Sequence, residues 1–248
     1  MFRRYNFPRL GIIIAVLAAL LAMLAVVLHR FEAVGFQIAL PMLAVSALSG
    51  LLAVVLSAIG LITAWQQQKS VLPVLAGLLL GLIVAAPTIL TMLSGSGVPR
   101  IHDITTDIDN PPEFKAVLAL RTHTDNTLDR KSPENLTQLQ QEAYPALKPL
   151  LLDRSRDIVF IQALQLAKSH GWKIAAASAD KGTIEATATT PIMAFKDDVV
   201  IRIQSVEDKT RVDMRSVSRV GLSDLGANAA RIQQFMNELS TSLKYPGR

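Results

Sequence analysis

The stretch DVVIRIQSVEDKTRVDMRSVSR, Asp198–Arg219, decides the fold class of the folded part of this chain. Apolar and polar residues alternate on both sides of a short polar sequence, a pattern typical of two antiparallel strands joined by a tight turn. A two-residue turn around Asp208–Lys209 places Arg202 opposite Arg215. Because like charges directly opposite each other are unfavourable, this register requires an acid or an anion between the two arginines.

The surrounding sequence extends this hairpin to a sheet with helices at both ends. Four segments have strand-like patterns: 172–179, 183–190, 198–206 and 210–219. The first two turn at DKG, Asp180–Gly182, as a three-residue loop with Gly182 in the left-handed conformation. One apolar-faced helix precedes the strands at 156–170, and another follows at 223–243. The order predicts an α+β domain with a four-stranded antiparallel sheet packed by two main helices.

Three long apolar stretches precede this domain, at about 10–28, 38–65 and 71–93. A helix needs about 20 residues to cross the hydrocarbon layer, so each stretch is long enough for a transmembrane span. The sequence therefore predicts a three-span anchor at 1–93, a linker at 94–100 and an extracytoplasmic α+β domain at 101–248.

The positive residues near the spans predict the orientation. Arg3, Arg4, Arg9 and Lys69 flank one side of the three spans, and only Arg30 flanks the other. Positive side chains favour the cytoplasmic side, so the N-terminus is expected in the cytoplasm. Three spans then place the C-terminal domain in the periplasm, at a bacterial inner membrane.

The interior of the spans favours an anchor over a transporter. The spans lack ionisable side chains, which ion and proton pathways usually require. Gly77 and Gly81 form a small-xxx-small pair that permits close helix approach, either within the three-helix unit or between two copies.

The charge distribution argues against a nucleic-acid partner. The sequence pI is near 9.6, but residues 1–93 carry a net charge of +4 and residues 94–248 only +1. The folded domain therefore lacks the dense basic surface that a phosphate backbone needs. The chain contains no cysteine, which excludes disulfides and thiolate metal sites.

The stretch SRVGLSDLGANAAR, Ser218–Arg231, has two glycines at the spacing of a phosphate loop. Such a loop would continue with Lys and then Ser or Thr, whereas Ala227 and Asn228 follow here. We interpret it as a corner between strand and helix, with a cap from Ser223 and a carboxylate at the helix dipole from Asp224.

Several motifs resemble the bacterial and plastid family known as domain of unknown function 1499. They are VPRIHDITTDIDNPPEF, QQEAYPALKPL, FKDDVVIRI and RVDMRSVSRVGLSDLGANAARIQQF, and they cover nearly all of residues 98–240. Members of this family often carry a multi-span N-terminal region. The family's aromatic pair is replaced by PIMA between Thr190 and Phe195, and the resemblance implies no reaction.

The strands contain a candidate ligand-binding group. Arg202, Arg215 and Arg219, with Asp213 beside them, occupy positions that can share one sheet face. They could hold an anionic headgroup or an acidic partner. Alternatively, the arginines form ion pairs across the sheet with Asp197, Asp198 and Asp213.

The segment HDITTDIDN contains a candidate metal site made of Asp103, Asp107 and Asp109. Hard cations such as calcium prefer such oxygen ligands. Alternatively, these residues stabilise turns before the paired prolines.

Together these observations predict an envelope protein without catalytic residues or cofactor, whose outer domain binds a protein partner, a lipid or a small ligand. The lipid bilayer is the expected partner of the spans, and an envelope protein or anionic lipid that of the domain. The alternative is a membrane-tethered hydrolase that uses His102, Asp103 and Asp107.

Overall fold

The structure is a computed structural model that describes residues 7–68 and 70–244. The chain divides into two compact units. The first comprises the chain up to Ser96 together with residues 192–194, and the second comprises the remainder from Gly97.

The first unit consists of three apolar helices: α1 (Phe7–Arg30), α2 (Phe36–Gln66) and α3 (Leu72–Gly95). All three are long and apolar enough to cross a membrane, as the sequence predicts. Arg3, Arg4 and Lys69, on which the predicted orientation depends, lie outside the described residues. The orientation therefore remains a prediction.

Small residues allow the three helices to approach closely. A Cβ at Gly81 would lie 2.7 Å from the Gly50 carbonyl oxygen, and one at Gly77 would collide with the Ser57 hydroxyl. Both glycines of the small-xxx-small pair therefore contact α2 within the same unit. This confirms their role in packing inside the three-helix unit.

The second unit contains an antiparallel sheet of six strands, not the four that the sequence predicts. The strands are β1 (Asp103–Thr105), β2 (Leu150–Leu152), β3 (Lys173–Ser178), β4 (Thr183–Thr189), β5 (Lys196–Val206) and β6 (Lys209–Ser218). The order is β1-β6-β5-β4-β3, and β2 also pairs with β6. The two additional strands have three residues each, which is too short to show an alternating pattern.

The β5–β6 hairpin is two residues out of the predicted register. The turn lies at Glu207–Asp208, and Val206 pairs with Lys209. Arg202 consequently lies opposite Asp213 instead of Arg215. A slip of two residues keeps every side chain on its face, so the alternating pattern cannot distinguish the two registers, whereas the pairing of opposite charges can.

The β3–β4 connection also differs from the prediction. Ser178 pairs with Thr183, so the loop has four residues, and the ladder is irregular between Ile174 and Ala176. Gly182 does take the left-handed conformation, with φ of +62°.

Three helices accompany the sheet: α4 (Leu136–Ala143), α5 (Arg156–Ser169) and α6 (Ala227–Lys244). The two longer ones, α5 and α6, pack on one sheet face around a buried apolar core, which includes Ile201, Met214 and Phe235. The indole of Trp172 stacks on Phe235 with 5.3 Å between ring centroids. The shorter α4 lies in the stretch SPENLTQLQQEAY, whose first residues favour a helix start, and is additional to the two main helices.

The segment between β1 and α4 packs against the other sheet face. It contains a short 3₁₀ helix at Ala116–Leu120. Phe114 and Val117 form a small apolar cluster with Val200 and Val217 of the sheet. The Glu185 carboxylate accepts hydrogen bonds from the backbone N–H groups of Lys115 (2.9 Å) and Val117 (3.1 Å), which attaches this segment to β4.

The corner before α6 is a structural turn with a different cap from the one predicted. Gly221 and Gly226 have φ of +87° and +86°, a conformation that glycine adopts easily. The Asp224 carboxylate, rather than Ser223, accepts hydrogen bonds from the N–H groups of Gly226 (2.8 Å) and Asn228 (2.9 Å) at the start of the helix. Asp224 therefore occupies the position that a bound phosphate would need.

Candidate ligand groove beside an ionic sheet face

The sheet face opposite α5 and α6 carries charged residues beside its small apolar cluster. Alternation along β6, β5 and β1 brings seven of them to this face, which we call the ionic face: Asp103, Asp198, Arg202, Arg211, Asp213, Arg215 and Arg219. Buried charges are stable only when they are paired and hydrogen-bonded, so the partners of each residue determine what this face can do.

At the centre of the ionic face, Asp103 on β1 binds Arg215 on β6. Arg215 donates from Nη2 to Oδ2 (2.7 Å) and from Nε to Oδ1 (3.0 Å). Arg130 donates to Oδ1 of the same carboxylate at 2.7 Å. Burial lowers the pKa of the Arg130 guanidinium, and the Asp103 carboxylate acts in the opposite direction. Each carboxylate oxygen is thus already bonded to a guanidinium.

Near the end of β6, Asp198 binds Arg219 and Arg121. Arg219 donates from Nη2 to Oδ1 (2.8 Å) and from Nε to Oδ2 (3.0 Å), and Arg121 donates to Oδ2 at 2.5 Å. The Thr187 hydroxyl adds a bond of 2.8 Å to Oδ1. Asp198 is fully buried, so these bonds replace its water shell.

At the start of β6, two arginines share two acids. Arg202 and Arg211 donate to Asp213 Oδ2, each at 3.0 Å. Their Nη2 atoms also donate to Asp107 Oδ2, at 2.9 and 2.7 Å respectively. The hydrogen bond to Asp213 raises the pKa of Arg211 above its ordinary value. This end of the ionic face is its more exposed end, since 32% of the Arg211 side chain is accessible.

The four residues of the predicted ligand site therefore lie on one face but belong to separate ion-pair groups. Arg202 binds Asp213, Arg215 binds Asp103 and Arg219 binds Asp198. Arg215 and Arg219 are 4% and 9% exposed. Their role in binding a ligand remains a prediction, and the arrangement leaves Arg202 and Arg211 as the arginines nearest to solvent.

The three acids of the predicted metal site are not gathered around one point. Asp103 and Asp107 bind different arginines, and Asp109 is exposed. Within residues 7–68 and 70–244, no group of three or more metal-binding side chains is close enough to hold an ion. The metal prediction thus rests on the sequence alone.

An open groove of about 440 Å³ lies beside the exposed end of the ionic face. Its lining comes from the segment after β1, from the α4–β2 connection and from β6, and includes Asp107, Tyr144, Leu147, Lys148 and Arg211. The volume falls in the range of small-ligand sites, about 300–1,000 Å³. Apolar groups, two cations and the carboxylates of Asp107 and Asp109 are therefore present together on its walls.

Two cations in this groove have unused hydrogen-bond donors. Arg211 binds its two acids through Nε and Nη2, and its Nη1 has no acceptor in the described part of the chain. Lys148 is exposed and forms no ion pair with any described residue. The Asp107 and Asp213 carboxylates fix the Arg211 guanidinium in place. The arrangement can receive an oxyanion between a fixed guanidinium and a flexible ammonium.

Sequence reasoning missed Lys148 and the structural arginines Arg121 and Arg130. The available signal for Lys148 was its place in ALKPL. Pro149 follows it there and restricts its backbone to extended conformations. Arg121 and Arg130 lie in irregular segments without periodicity, so no sequence signal pointed to their partners. Arg231, on α6, also binds a buried acid, Asp197, at 2.6 Å.

The geometry gives the hydrolase hypothesis no support. Asp103 and Asp107 each accept hydrogen bonds from two guanidiniums, and the two carboxylates bind separate pairs of arginines. His102 and Asp103 are consecutive residues of an extended segment, so their side chains point to opposite sheet faces. An acid-oriented base at His102 is therefore not assembled.

A comparison with known families identifies the folded domain. The model of the family described as "Protein of unknown function (DUF1499)" matches residues 103–239, more than half of the chain. This range contains all six strands and the ionic face. The resemblance seen in the sequence motifs is thereby confirmed. No curated protein matches the chain.

Proposed function

We propose that this chain, which belongs to the DUF1499 family, is a membrane-anchored binding protein whose groove holds an oxyanion-bearing ligand without altering it chemically. The oxyanion is the phosphate of an anionic lipid headgroup or free phosphate. One observation carries this proposal: Arg211 and Lys148 line one groove and keep donors without a described acceptor, whereas the other arginines of the ionic face do not line it.

The fixed position of Arg211 supports binding over catalysis. A guanidinium held by two carboxylates loses little conformational freedom when an anion arrives, which favours affinity. A nucleophile or general base would need an acid, hydroxyl or imidazole with an unoccupied lone pair beside it. Of the two carboxylates that line the groove, Asp107 is already bonded to two arginines and Asp109 is exposed to water.

We place the domain in the periplasm, with the apolar helices in the inner membrane and the N-terminus in the cytoplasm. The three helices support membrane association, and the arginines before α1 support this orientation. Reporter fusions after residue 248 should be active only if the reporter functions in the periplasm. Activity of a cytoplasmic reporter at that position would refute the orientation.

Ligand binding is testable with the full chain in detergent micelles, with inorganic phosphate as the probe. In a Trp65→Phe background, phosphate should raise the unfolding temperature of the folded domain, monitored by the emission of Trp172, by more than an equal concentration of chloride does. Lys148→Gln should abolish this increase. The matched control is Lys181→Gln, which removes an exposed lysine in the β3–β4 turn and should leave it unchanged.

A second arm separates the two sources of phosphate. The same proteins in nanodiscs of phosphatidylcholine, with and without phosphatidylglycerol, report headgroup binding. Stabilisation only with phosphatidylglycerol identifies a lipid ligand. An equal response of Lys148→Gln and Lys181→Gln to both probes would overturn the proposed site.

A further inference from the structure

The corner between β6 and α6 exposes two leucines, one of which has an unusual backbone conformation. Leu222 is 76% exposed and Leu225 is 45% exposed. Leu225 has φ of +53°, a left-handed backbone that a branched side chain rarely adopts. Such conformations persist only where the surrounding structure enforces them, and they concentrate at functional sites.

Hydrogen bonds hold this corner in place. Besides the Asp224 cap, the Ser223 hydroxyl accepts the N–H of Leu225 at 3.2 Å. Asn126 Nδ2 donates to the carbonyl oxygens of Ser218 (3.0 Å) and Gly221 (2.8 Å). The two leucines are therefore presented to the outside by a fixed scaffold, whereas a loose loop could turn them inward.

A third exposed leucine lies at the same end of the sheet. Arg219 donates to the carbonyl oxygen of Leu120 at 2.8 Å, and Arg121 reaches both Asp198 and the carbonyl of Asn126. These bonds connect the 3₁₀ helix to the corner, and Leu120 is 45% exposed. We call Leu120, Leu222 and Leu225 the apolar end of the domain.

The incoming chain packs on this end. Asp224 N–H donates to the Ile101 carbonyl oxygen at 3.2 Å, and the Val98 side chain lies 3.6 Å from the position of a Cβ on Gly226. Only residues 96–100 separate the end of α3 from Ile101. At roughly 3.6 Å per extended residue, this connecting segment spans at most about 20 Å. Arg100, in this segment, is exposed and forms no ion pair within the described residues.

We infer that the apolar end inserts its leucines into the headgroup region of the bilayer that holds the three apolar helices. Leucines at an interface bury apolar surface among the acyl chains, and an adjacent arginine binds lipid phosphate. Lipid is the occupant that the incoming chain brings within reach of these side chains. The inference rests on the proposed membrane anchoring and is independent of the groove.

The absence of cysteine makes a direct test possible, since one introduced cysteine gives one labelling site. Leu222→Cys and Leu120→Cys probe the apolar end. Leu151→Cys is the matched control, because Leu151 is 56% exposed but pairs with Arg211 at the opposite end of β6. Each full-length variant is labelled with an environment-sensitive fluorophore and reconstituted into phosphatidylcholine–phosphatidylglycerol vesicles.

Labels at residues 222 and 120 should shift their emission to the blue, resist quenching by iodide in water and be quenched by nitroxide-labelled lipid. The label at residue 151 should show the opposite behaviour. Iodide quenching at residues 222 and 120 equal to that at residue 151 would overturn the inference. Flotation of the vesicles separates this result from a failure of anchoring, because a chain that does not float with lipid is not anchored.

Discussion

Asp103 and Arg215, which are 112 positions apart in the chain, form a doubly hydrogen-bonded ion pair on the ionic face. The two hydrogen bonds measure 2.7 and 3.0 Å, and both side chains are almost completely buried. The pair joins the first strand of the sheet to the last. It also connects the domain's first residues to the segment around Arg130.

Asp103→Asn should therefore destabilise the domain by about 3–5 kcal/mol, because it leaves Arg130 and Arg215 buried without an anion. Urea unfolding of the full chain, followed by Trp172 emission in a Trp65→Phe background, measures the change. Asp153→Asn is the control, since Asp153 is 83% exposed and its partner Lys209 is 3.6 Å away. The control should change stability by less than about 1 kcal/mol. Equal effects of the two substitutions would contradict a structural role for the buried pair.

The β5–β6 register can be tested with paired cysteines in this cysteine-free chain. Ser205 lies directly opposite Thr210, so Ser205→Cys with Thr210→Cys should form a disulfide under mild oxidation. Ser205→Cys with Val212→Cys, the pair of the alternative register, should form it much more slowly. Counting reactive thiols by mass spectrometry distinguishes the two. Faster formation of the disulfide by the second pair would show that Arg202 lies opposite Arg215 and not opposite Asp213.

Gly81→Ala should destabilise the three-helix unit by about 1–3 kcal/mol, because the new methyl group meets the Gly50 carbonyl oxygen. Thermal loss of helical circular dichroism in detergent measures the effect. Gly97→Ala is the matched control, since a Cβ at Gly97 meets no atom within 4 Å. A stability of Gly81→Ala equal to that of the control would mean that α2 and α3 do not approach as described.

Asp224 should give the domain a pH-dependent stability. Burial raises the pKa of its carboxyl above the ordinary value of 3.8, although the N–H groups of Gly226 and Asn228 oppose this. Between 3.8 and the raised pKa the native state binds more protons than the unfolded state, so stability falls as the pH rises through that window. Asp224→Asn removes the titrating group and this contribution.

The measurement for Asp224 is urea unfolding of wild type and Asp224→Asn from about pH 4 to about pH 7. The stability of wild type relative to the variant should decrease as the pH rises and become constant above the raised pKa. A difference that stays constant, or that grows in favour of wild type, would contradict this assignment.

Much of the architecture could be predicted because it depends on local patterns. The apolar stretches before residue 94 indicate α1, α2 and α3, and alternation indicates β3 to β6. The short strands β1 and β2 could not be predicted, because three residues carry no period. Asp103 was assigned to a metal site because its segment also lacks a period. Without a period, the sequence does not indicate which residue an acid pairs with.

The sequence by itself determined the longer helices and strands and which of their residues share a sheet face, because these properties follow from spacing along the chain. Only the tertiary structure decided which arginine meets which acid, and that Arg211 and Lys148 line one groove. Such pairs join residues on separate strands and loops. A slip of two residues would exchange the charges and leave every local pattern unchanged.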